Sequence, residues 1–228
     1  MEEVDVTQPT PRGAIPSIAA SPSEMALQMQ DQMGRFNYSQ APADYSSIFY
    51  TREKELLLEN GDIYEGEWDE AGKKAGRGIQ HYADGSVYEG YWQSGMASGR
   101  GRFIQANGGV YEGEWMDDKS HGFGTYLQPD GTKHEGEWRE DQKHGEGRET
   151  WPDGTYYQGA FAEGKKAGKG QFKWTNGNTY TGEFLDNNIH GHGFYHWADG
   201  REYTGEWQTN KMHGAGVFTF GDGRKYEG

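Results

Sequence analysis

Aromatic and acidic residues alternate in short runs along about the last three-quarters of the chain. The first clear run reads Tyr-Glu-Gly-Glu-Trp from Tyr64 to Trp68. Side chains of a β-strand point alternately to its two faces, so both rings and the central glycine share one face. Glu65 and Glu67 share the other face. The pattern predicts a strand that is aromatic on one side and acidic on the other.

A second strand is predicted after each such run. A polar turn and a Gly-x-Gly triplet lead into it, and in several copies it carries two aromatic residues two positions apart. It ends in an Asn-Gly or Asp-Gly pair, which favours a type I′ hairpin turn because both central residues need positive φ. The fully aromatic pairs are Phe172 with Trp174, Tyr195 with Trp197, and Phe218 with Phe220.

This hairpin unit recurs at a nearly fixed step. The step is 24 residues once and then 23 residues six times, and the extra residue falls in the polar turn at residues 69–75. A period of this size predicts a stacked array, whose function lies in a surface rather than in a unique pocket. The units begin at Tyr64, Tyr88, Tyr111, His134, Tyr157, Tyr180, Tyr203 and Tyr226.

The unit resembles the MORN repeat (membrane occupation and recognition nexus), whose pattern is Tyr-x-Gly-x-Trp, a short linker, Gly-x-Gly, an aromatic residue and Asp-Gly. The resemblance covers about residues 56–228, in seven full copies. Departures from the pattern are His134 for the leading tyrosine, Phe161 and Phe184 for the tryptophan, and Gln80 and Glu149 for a second-strand aromatic residue.

We therefore predict an all-β fold, a single-layer elongated antiparallel sheet formed by a β-hairpin solenoid of about seven repeats. The array occupies residues 56–228 with an incomplete last repeat, and residues 1–55 form a mostly irregular N-terminal tail. Leu56, Leu57 and Leu58, which precede an Asn-Gly turn, are expected to form half a repeat at the start of the array. About fifteen strands spaced about 4.8 Å apart would give a rod of roughly 70 Å.

Composition changes this picture in one respect. The hydrophobic content is 32% and the mean hydropathy is −1.06, values that usually indicate disorder. The chain nevertheless has 8 Trp, 15 Tyr and 10 Phe residues at periodic positions. We therefore expect an ordered sheet in which ring stacking between hairpins supplies much of the cohesion. The net charge of −14 disfavours nucleic acid as a partner.

Within the tail, the sequence predicts a short helix over residues 22–33. Ser21 would be its N-cap, Pro22 its first residue and Glu24 its third, and Gly34 would end it. The segment from Thr7 to Pro16 is expected to be extended and proline-punctuated.

Three methionines, Met25, Met29 and Met33, follow at four-residue spacing in that helix. Methionine suits adaptable contacts, so they are candidates for binding a protein partner. The alternative is a flexible tail in which the spacing of the methionines arises by chance. The residues Tyr45, Ile48, Phe49 and Tyr50 are expected to lead into the array.

Candidate chemistry is sparse. The chain has no cysteine, so disulfides and thiolate metal sites are excluded. Histidines recur at one repeat position, but equivalent atoms would lie about 10 Å apart, too far to share a metal. Recurring carboxylate pairs are expected to be solvated or paired across strands. We predict no catalytic, cofactor-binding or metal-binding residue and a non-enzymatic protein. The recurring histidines are His121, His144, His190 and His213.

Membrane contact is also disfavoured by the sequence. The N-terminus lacks an apolar run and no stretch reaches transmembrane length, so we expect a cytoplasmic protein. Lysines at residues 73–74, 143, 165–166 and 211 could line one edge for anionic lipid. Acidic neighbours at residues 117–118 and 140–141 oppose that alternative.

Function is expected on the aromatic face, where a groove would accept a helix or an extended segment of another protein subunit. The family resemblance implies a scaffold in a cytoskeletal assembly, with a radial-spoke-like ciliary axoneme as the expected setting. The alternatives are a membrane-tethering or phosphoinositide-binding module, or the regulatory array of an enzyme. The candidate groove residues are Tyr111, Trp115, Phe172, Trp174, Tyr195, Trp197, Phe218 and Phe220.

The C-terminal end of the array is a second candidate contact. Tyr226 begins an eighth hairpin, so the preceding strand, from Gly216 to Phe220, would be nearly an edge of the sheet. Uncharged aromatic edge strands invite pairing with other chains. We expect a strand from another subunit or an end-to-end contact between copies there, unless the sequence is a fragment of a longer chain.

Overall fold

A computed structural model describes residues 20–42, 45 and 50–228. These residues form one helix, α1 (Glu24–Met33), followed by sixteen strands. The strands are β1 (Tyr50–Leu57), β2 (Ile63–Trp68), β3 (Lys74–His81), β4 (Val87–Gln93), β5 (Met96–Ile104), β6 (Val110–Met116), β7 (Lys119–Leu127), β8 (Lys133–Arg139), β9 (Gln142–Thr150), β10 (Tyr156–Ala162), β11 (Lys165–Lys173), β12 (Thr179–Leu185), β13 (Asn188–His196), β14 (Glu202–Gln208), β15 (Lys211–Thr219) and β16 (Lys225–Glu227).

All of these strands belong to one antiparallel sheet, in which each strand pairs with its neighbours in the sequence. The predicted all-β, single-layer hairpin array is confirmed. Repeat 1 consists of β2 and β3, and each later repeat adds one hairpin until repeat 7, which consists of β14 and β15. The strand β1 pairs with β2 in front of repeat 1, where half a repeat was predicted.

Paired glycines make room for the tyrosines of the repeat. Gly66 faces Gly78 across β2 and β3, and a Cβ atom at either position would overlap the Tyr64 hydroxyl. The Tyr64 hydroxyl donates a hydrogen bond to the Glu67 carbonyl at 3.0 Å. Tyrosines at the same position of repeats 2, 3, 5, 6 and 7 donate the same bond at 2.8–3.1 Å. The glycine pattern is therefore a packing requirement.

The first-strand rings interlock into a continuous row that we call the spine. The Tyr64 ring packs edge-to-face against Trp68 at 4.9 Å and against Trp92 of the next repeat at 5.4 Å between centroids. Trp115 Nε1 also donates to the Gly101 carbonyl of the preceding repeat at 3.1 Å. The spine, which serves as the core of this single layer, consists of Tyr64, Trp68, Tyr88, Trp92, Tyr111, Trp115, His134, Trp138, Tyr157, Phe161, Tyr180, Phe184, Tyr203 and Trp207.

The first glycine of each Gly-x-Gly triplet forms a bulge. In repeat 3 the register shifts beside Gly122, which has a φ of 56°. The Glu114 carboxylate accepts the Phe123 backbone N–H at 3.3 Å and occupies the space that a side chain at Gly122 would need. The second glutamate of the motif therefore supports the bulge. The sequence predicted only that such glutamates are solvated or paired across strands, so this support of the bulge was not predicted.

The helix α1 begins later than predicted. Ser23, not Ser21, is the N-cap, and its hydroxyl accepts the Ala26 N–H at 3.0 Å. The sheet fixes this choice, because the Ser23 N–H donates to the Gly85 carbonyl at 2.9 Å. Gly34 ends the helix as predicted, with a φ of 68°.

The helix packs on the outer face of the sheet, defined as the face opposite the spine. Ala26 is completely buried in a cluster with Val87, Ile104 and Val110. The chain after α1 continues across this face, and the Tyr91 hydroxyl donates to the Tyr38 carbonyl at 2.5 Å. The outer face, which carries the glutamates of the repeat, is therefore partly covered by the tail in repeats 1–3. Aliphatic residues at outer-face positions there give the tail a surface to cover. The segment from Thr7 to Pro16 and residues 48–49 lie outside the described residues.

Candidate functional site

The ring face, which carries the spine, has a second row of rings at and just beyond the ends of the second strands of repeats 4–7. We call it the open row. Neighbouring centroids are 4.4–5.6 Å apart from Trp151 to Phe220, and the rings are half-buried or exposed. The structure thus brings the predicted aromatic pairs together. The open row consists of Trp151, Phe172, Trp174, Tyr195, Trp197, Phe218 and Phe220.

The two other predicted groove residues, Tyr111 and Trp115, belong to the spine. Tyr111 is only 5% exposed, and its hydroxyl donates to the Glu114 carbonyl. Trp115 is half-buried and packs against Phe103 at 6.2 Å. Both residues line a groove on the ring face, but Tyr111 offers little surface to a ligand.

That groove runs from the turn before β2 into repeat 4 and has a volume of about 750 Å³. We call it the acidic groove, because it is lined by Asp62, Asp118 and Asp141 and by a single cationic residue, Lys74. Its remaining lining residues are Asn60, Gln80, Tyr82, Tyr88, Ala97, Phe103, Gln105, Tyr111, Trp115, Ser120, Tyr126 and Trp138.

Lys74 is held inside the acidic groove. Its Nζ donates to Gln80 Oε1 at 2.6 Å and lies 3.7 Å from the centroid of the Trp92 ring. Burial lowers the pKa of Lys74 to about 8. Gln80 in turn donates to Asp62 Oδ2 at 2.7 Å. The sequence marked Gln80 only as a departure from the repeat, and its place in this network was not predicted.

Repeat 4 carries polar groups at two positions that hold aromatic rings in neighbouring repeats. Glu149 occupies the position of Phe172 in the next repeat and is 6% exposed. It accepts hydrogen bonds from Lys143 and, at 2.6 Å, from Lys166. Burial would raise the pKa of Glu149, but the two ammonium groups outweigh it and hold that pKa below its usual value.

His134 is the second polar group of repeat 4. It is completely buried in the spine between Trp138 at 5.2 Å and Phe161 at 4.7 Å. Neither ring nitrogen has a hydrogen-bond partner among the described residues. Burial lowers the pKa of His134 to about 4, so the imidazole is neutral at pH 7.

The tail methionines are not equivalent. Met29 packs against the buried cluster beneath α1, whereas Met25 and Met33 are 44% and 37% exposed. Met33 also lines an outer-face groove of about 410 Å³ together with Phe123 and Leu127. The helix thus uses one of its three methionines for the array and leaves two accessible.

Among the residues that the structure describes, no group of three or more histidines and carboxylates is arranged to hold a metal ion. No helix within residues 20–42, 45 and 50–228 is long and apolar enough to cross a membrane.

Comparisons with solved structures found matches of low identity. The SAS-4 TCP domain of Drosophila melanogaster, in complex with a proline-rich motif, is 15% identical, with a TM-score of 0.41 over 86% of this chain and 97% of that chain. The TCP10 domain of Danio rerio CPAP is 14% identical, with a TM-score of 0.41 over 76% of this chain and 87% of that chain. A search of curated proteins found no match.

The repeat itself gives the assignment. The family model described as MORN repeat matches seven consecutive segments between residues 64 and 223, which together exceed half of the chain. The matched segments are residues 64–87, 88–110, 111–133, 134–156, 157–179, 180–200 and 203–223. The chain therefore belongs to the MORN-repeat family.

Proposed function

We propose that this chain is a non-enzymatic scaffold that binds a segment of another protein subunit on the ring face of its sheet. The observation that carries the proposal is the open row. Seven rings stack along one face with no other element of the described structure above them. Contiguous accessible aromatic surface of this kind is typical of protein-binding sites.

The rings of the open row suit an extended segment or a helix. They lie side by side along the long axis of the array, so a bound segment would cross several repeats and contact each in turn. Tryptophan and tyrosine are the residue types most enriched among binding hot spots. We therefore expect Trp174 and Trp197 to be the anchors.

Capture from the native source tests this proposal. Tagged protein with Trp174→Ala and Trp197→Ala should lose the partner that wild-type protein captures, with an expected loss of about 2–4 kcal/mol. Phe194→Ala is the matched control, because Phe194 lies in the same strand as Tyr195 but on the outer face and is 37% exposed. Normal capture by a folded double-tryptophan variant would rule out the open row as the binding surface.

The expected setting is a cytoskeletal assembly, and specifically a radial-spoke-like axonemal one. This part of the proposal rests on the family resemblance, since similar arrays serve such assemblies. Fluorescent tagging in the native cell, followed by detergent extraction, is the test. Retention in the detergent-resistant axoneme supports the proposal, and complete release into the detergent-soluble fraction contradicts it.

A membrane-binding role has less support. Lys166 is engaged by Glu149, Lys165 donates to Asp186 at 2.9 Å, and Lys74 is held in the acidic groove. The lysines that could form a stripe for anionic lipid are thus largely occupied. Co-sedimentation with phosphatidylserine vesicles at physiological salt is the discriminating measurement, and robust binding would favour the membrane alternative.

We also propose the edge of β16 as a place for strand addition. Of the strands described, β16 is the last in the sheet, and its three residues pair with β15 only at Val217, Phe218 and Thr219. Tyr226 is 67% exposed there. Light scattering at high concentration tests pairing between copies, which Tyr226→Lys should abolish. A monomer before and after that change excludes it.

A further inference from the structure

We propose that the acidic groove binds basic side chains of the partner segment whose apolar part lies on the open row. The inference rests on the proposed function and specifies the composition of the bound segment. The segment has lysines or arginines at one end, over the acidic groove, and apolar residues at the other end, over the open row.

Two repeat positions differ in chemistry between earlier and later repeats. At the position directly after the second strand, repeats 5 and 6 carry Trp174 and Trp197, whereas repeats 2 and 3 carry Gln105 and Gln128 and repeat 1 carries Tyr82. In the turn between the two strands, repeats 3 and 4 have aspartates where repeats 6 and 7 have asparagines. The equivalent turn residues are Asp118, Asp141, Asn187 and Asn210.

The fold does not need the negative charge of those aspartates. Asp118 Oδ1 accepts the Ala97 N–H and Asp141 Oδ1 accepts the Ser120 N–H, each at 2.7 Å. Asn187 and Asn210 make the equivalent bonds to the preceding repeat through their amide oxygens at 2.9 and 2.8 Å. Since an amide serves the turn equally well, the turn does not require the negative charge or the second oxygen of each aspartate.

Aromatic rings line the wall of the groove beside these carboxylates. Phe103, Trp115 and Tyr126 are half-buried and face the same space as Asp118. A cation over an aromatic ring is attracted by the ring quadrupole, most strongly over tryptophan. The groove already holds one such pair, the Lys74 ammonium over Trp92. Carboxylates and ring faces together select a cationic side chain.

The spacing of the carboxylates suits an extended chain. Asp118 and Asp141 lie one repeat apart, which is two strands or about 10 Å across the sheet. Three residues of an extended segment span the same distance. A segment with basic residues at every third position would place one at each carboxylate.

Fluorescence anisotropy with the full-length chain tests the inference. The probes are labelled synthetic peptides of about twelve residues, in which arginine, glutamine or glutamate occupies every third position between prolines and serines. The arginine peptide should bind more tightly than the glutamine peptide, and the glutamate peptide least. Asp118→Asn with Asp141→Asn should weaken arginine-peptide binding about tenfold at low salt.

A matched variant distinguishes binding in the acidic groove from the general attraction between a basic peptide and an acidic protein. Asp117→Asn with Glu140→Gln removes the same charge from the same turns but outside the groove lining, and should change the affinity less than about twofold. Equal effects of the two double variants, or equal binding of the arginine and glutamine peptides, would overturn the inference.

The capture experiment keeps the two proposals apart. Suppose that the tryptophan variant loses the native partner and that Asp118→Asn with Asp141→Asn retains it fully. The open row is then the binding surface, and the proposal that the partner segment has basic residues in the acidic groove is wrong. If the tryptophan variant retains the partner, the proposed function itself fails, whatever the peptides do.

Discussion

Repeats 1–3 and repeats 5–7 share one spine but differ on both faces. In repeats 1–3 the outer face is covered by α1 and by the chain that follows it, and the ring face holds polar groups and an ordered lysine. In repeats 5–7 the described structure covers neither face, and the ring face bears all of the open row except Trp151. Repeat 4 lies between them, with His134 and Glu149 in place of aromatic residues.

This difference separates what the repeat needs from what it can vary. The tyrosine over its glycine pair recurs on both sides, because each hairpin depends on it for burial. A ring at the tryptophan position also recurs, although it is Phe161 and Phe184 in repeats 5 and 6. The second-strand positions and the outer face contribute less to that packing, so they are free to carry binding surface. Function in a repeat array therefore resides in positions that differ between repeats.

The largest effect on stability is expected in the spine, which repeats 1–3 and repeats 5–7 share. A Cβ atom at Gly101 would overlap the Tyr88 ring, and one at Gly193 would overlap the Tyr180 ring. Gly101→Ala and Gly193→Ala should each lower the free energy of unfolding by about 3 kcal/mol. Chemical denaturation measures this. Thr181→Ala, on the outer face, is the control and should cost much less.

The outcome bears directly on the comparison. Losses of similar size in the two halves would agree with one common spine. A negligible loss at Gly193 together with a large one at Gly101 would mean that the later repeats do not depend on the spine as the earlier ones do.

A smaller effect on stability is expected from detaching α1, which covers the outer face in repeats 1–3 only. Ala26→Asp places a carboxylate in the completely buried cluster beneath α1, so the helix should detach at a cost of about 2 kcal/mol. Hydrogen exchange should then accelerate in β4 and β5 and remain unchanged in β12 and β13. Leu27→Asp is the control, because Leu27 is 52% exposed. Acceleration across the whole sheet would show that the tail supports more than repeats 1–3.

The smallest effect is expected at the junction in repeat 4. His134→Tyr restores the residue whose hydroxyl bonds to a backbone carbonyl in six other repeats, and Gly136 and Gly147 remain to receive its ring. The variant should be more stable at pH 7 by about 1 kcal/mol, measured by thermal or chemical unfolding.

The same variant should alter the response to acid. His134 has a pKa of about 4 in the folded protein and 6.5 as its ordinary value, so the unfolded chain binds a proton first as the pH falls. Stability is therefore lost between pH 6.5 and 4, by about 2 kcal/mol at pH 5 from this group alone. The lowered pKa of Glu149 also makes the folded protein less stable as the pH falls, but at a lower pH than His134 does. An unchanged pH dependence in His134→Tyr would contradict the buried, neutral imidazole.

The sequence by itself determined the repeated hairpin, the single sheet and the grouping of the open row. These follow from local rules, since side chains alternate along a strand and Asn-Gly or Asp-Gly pairs form tight turns. Once the period was known, Trp174 and Trp197 had to lie on the same face in neighbouring repeats. The Gly-x-Gly triplet was recognised as part of the hairpin, but nothing local showed that Glu114 would support a bulge there.

Only the tertiary structure decided which surfaces are covered and which polar residues meet. The position of α1 depends on a fit between Ala26 and a cluster drawn from β4, β5 and β6, and a contact of that kind has no signature in the tail sequence. The bonds of Glu149 to lysines of two different repeats likewise depend on how neighbouring hairpins stack. Local alternation fixes the face on which a side chain lies, whereas burial and ion pairing depend on residues far away in the sequence.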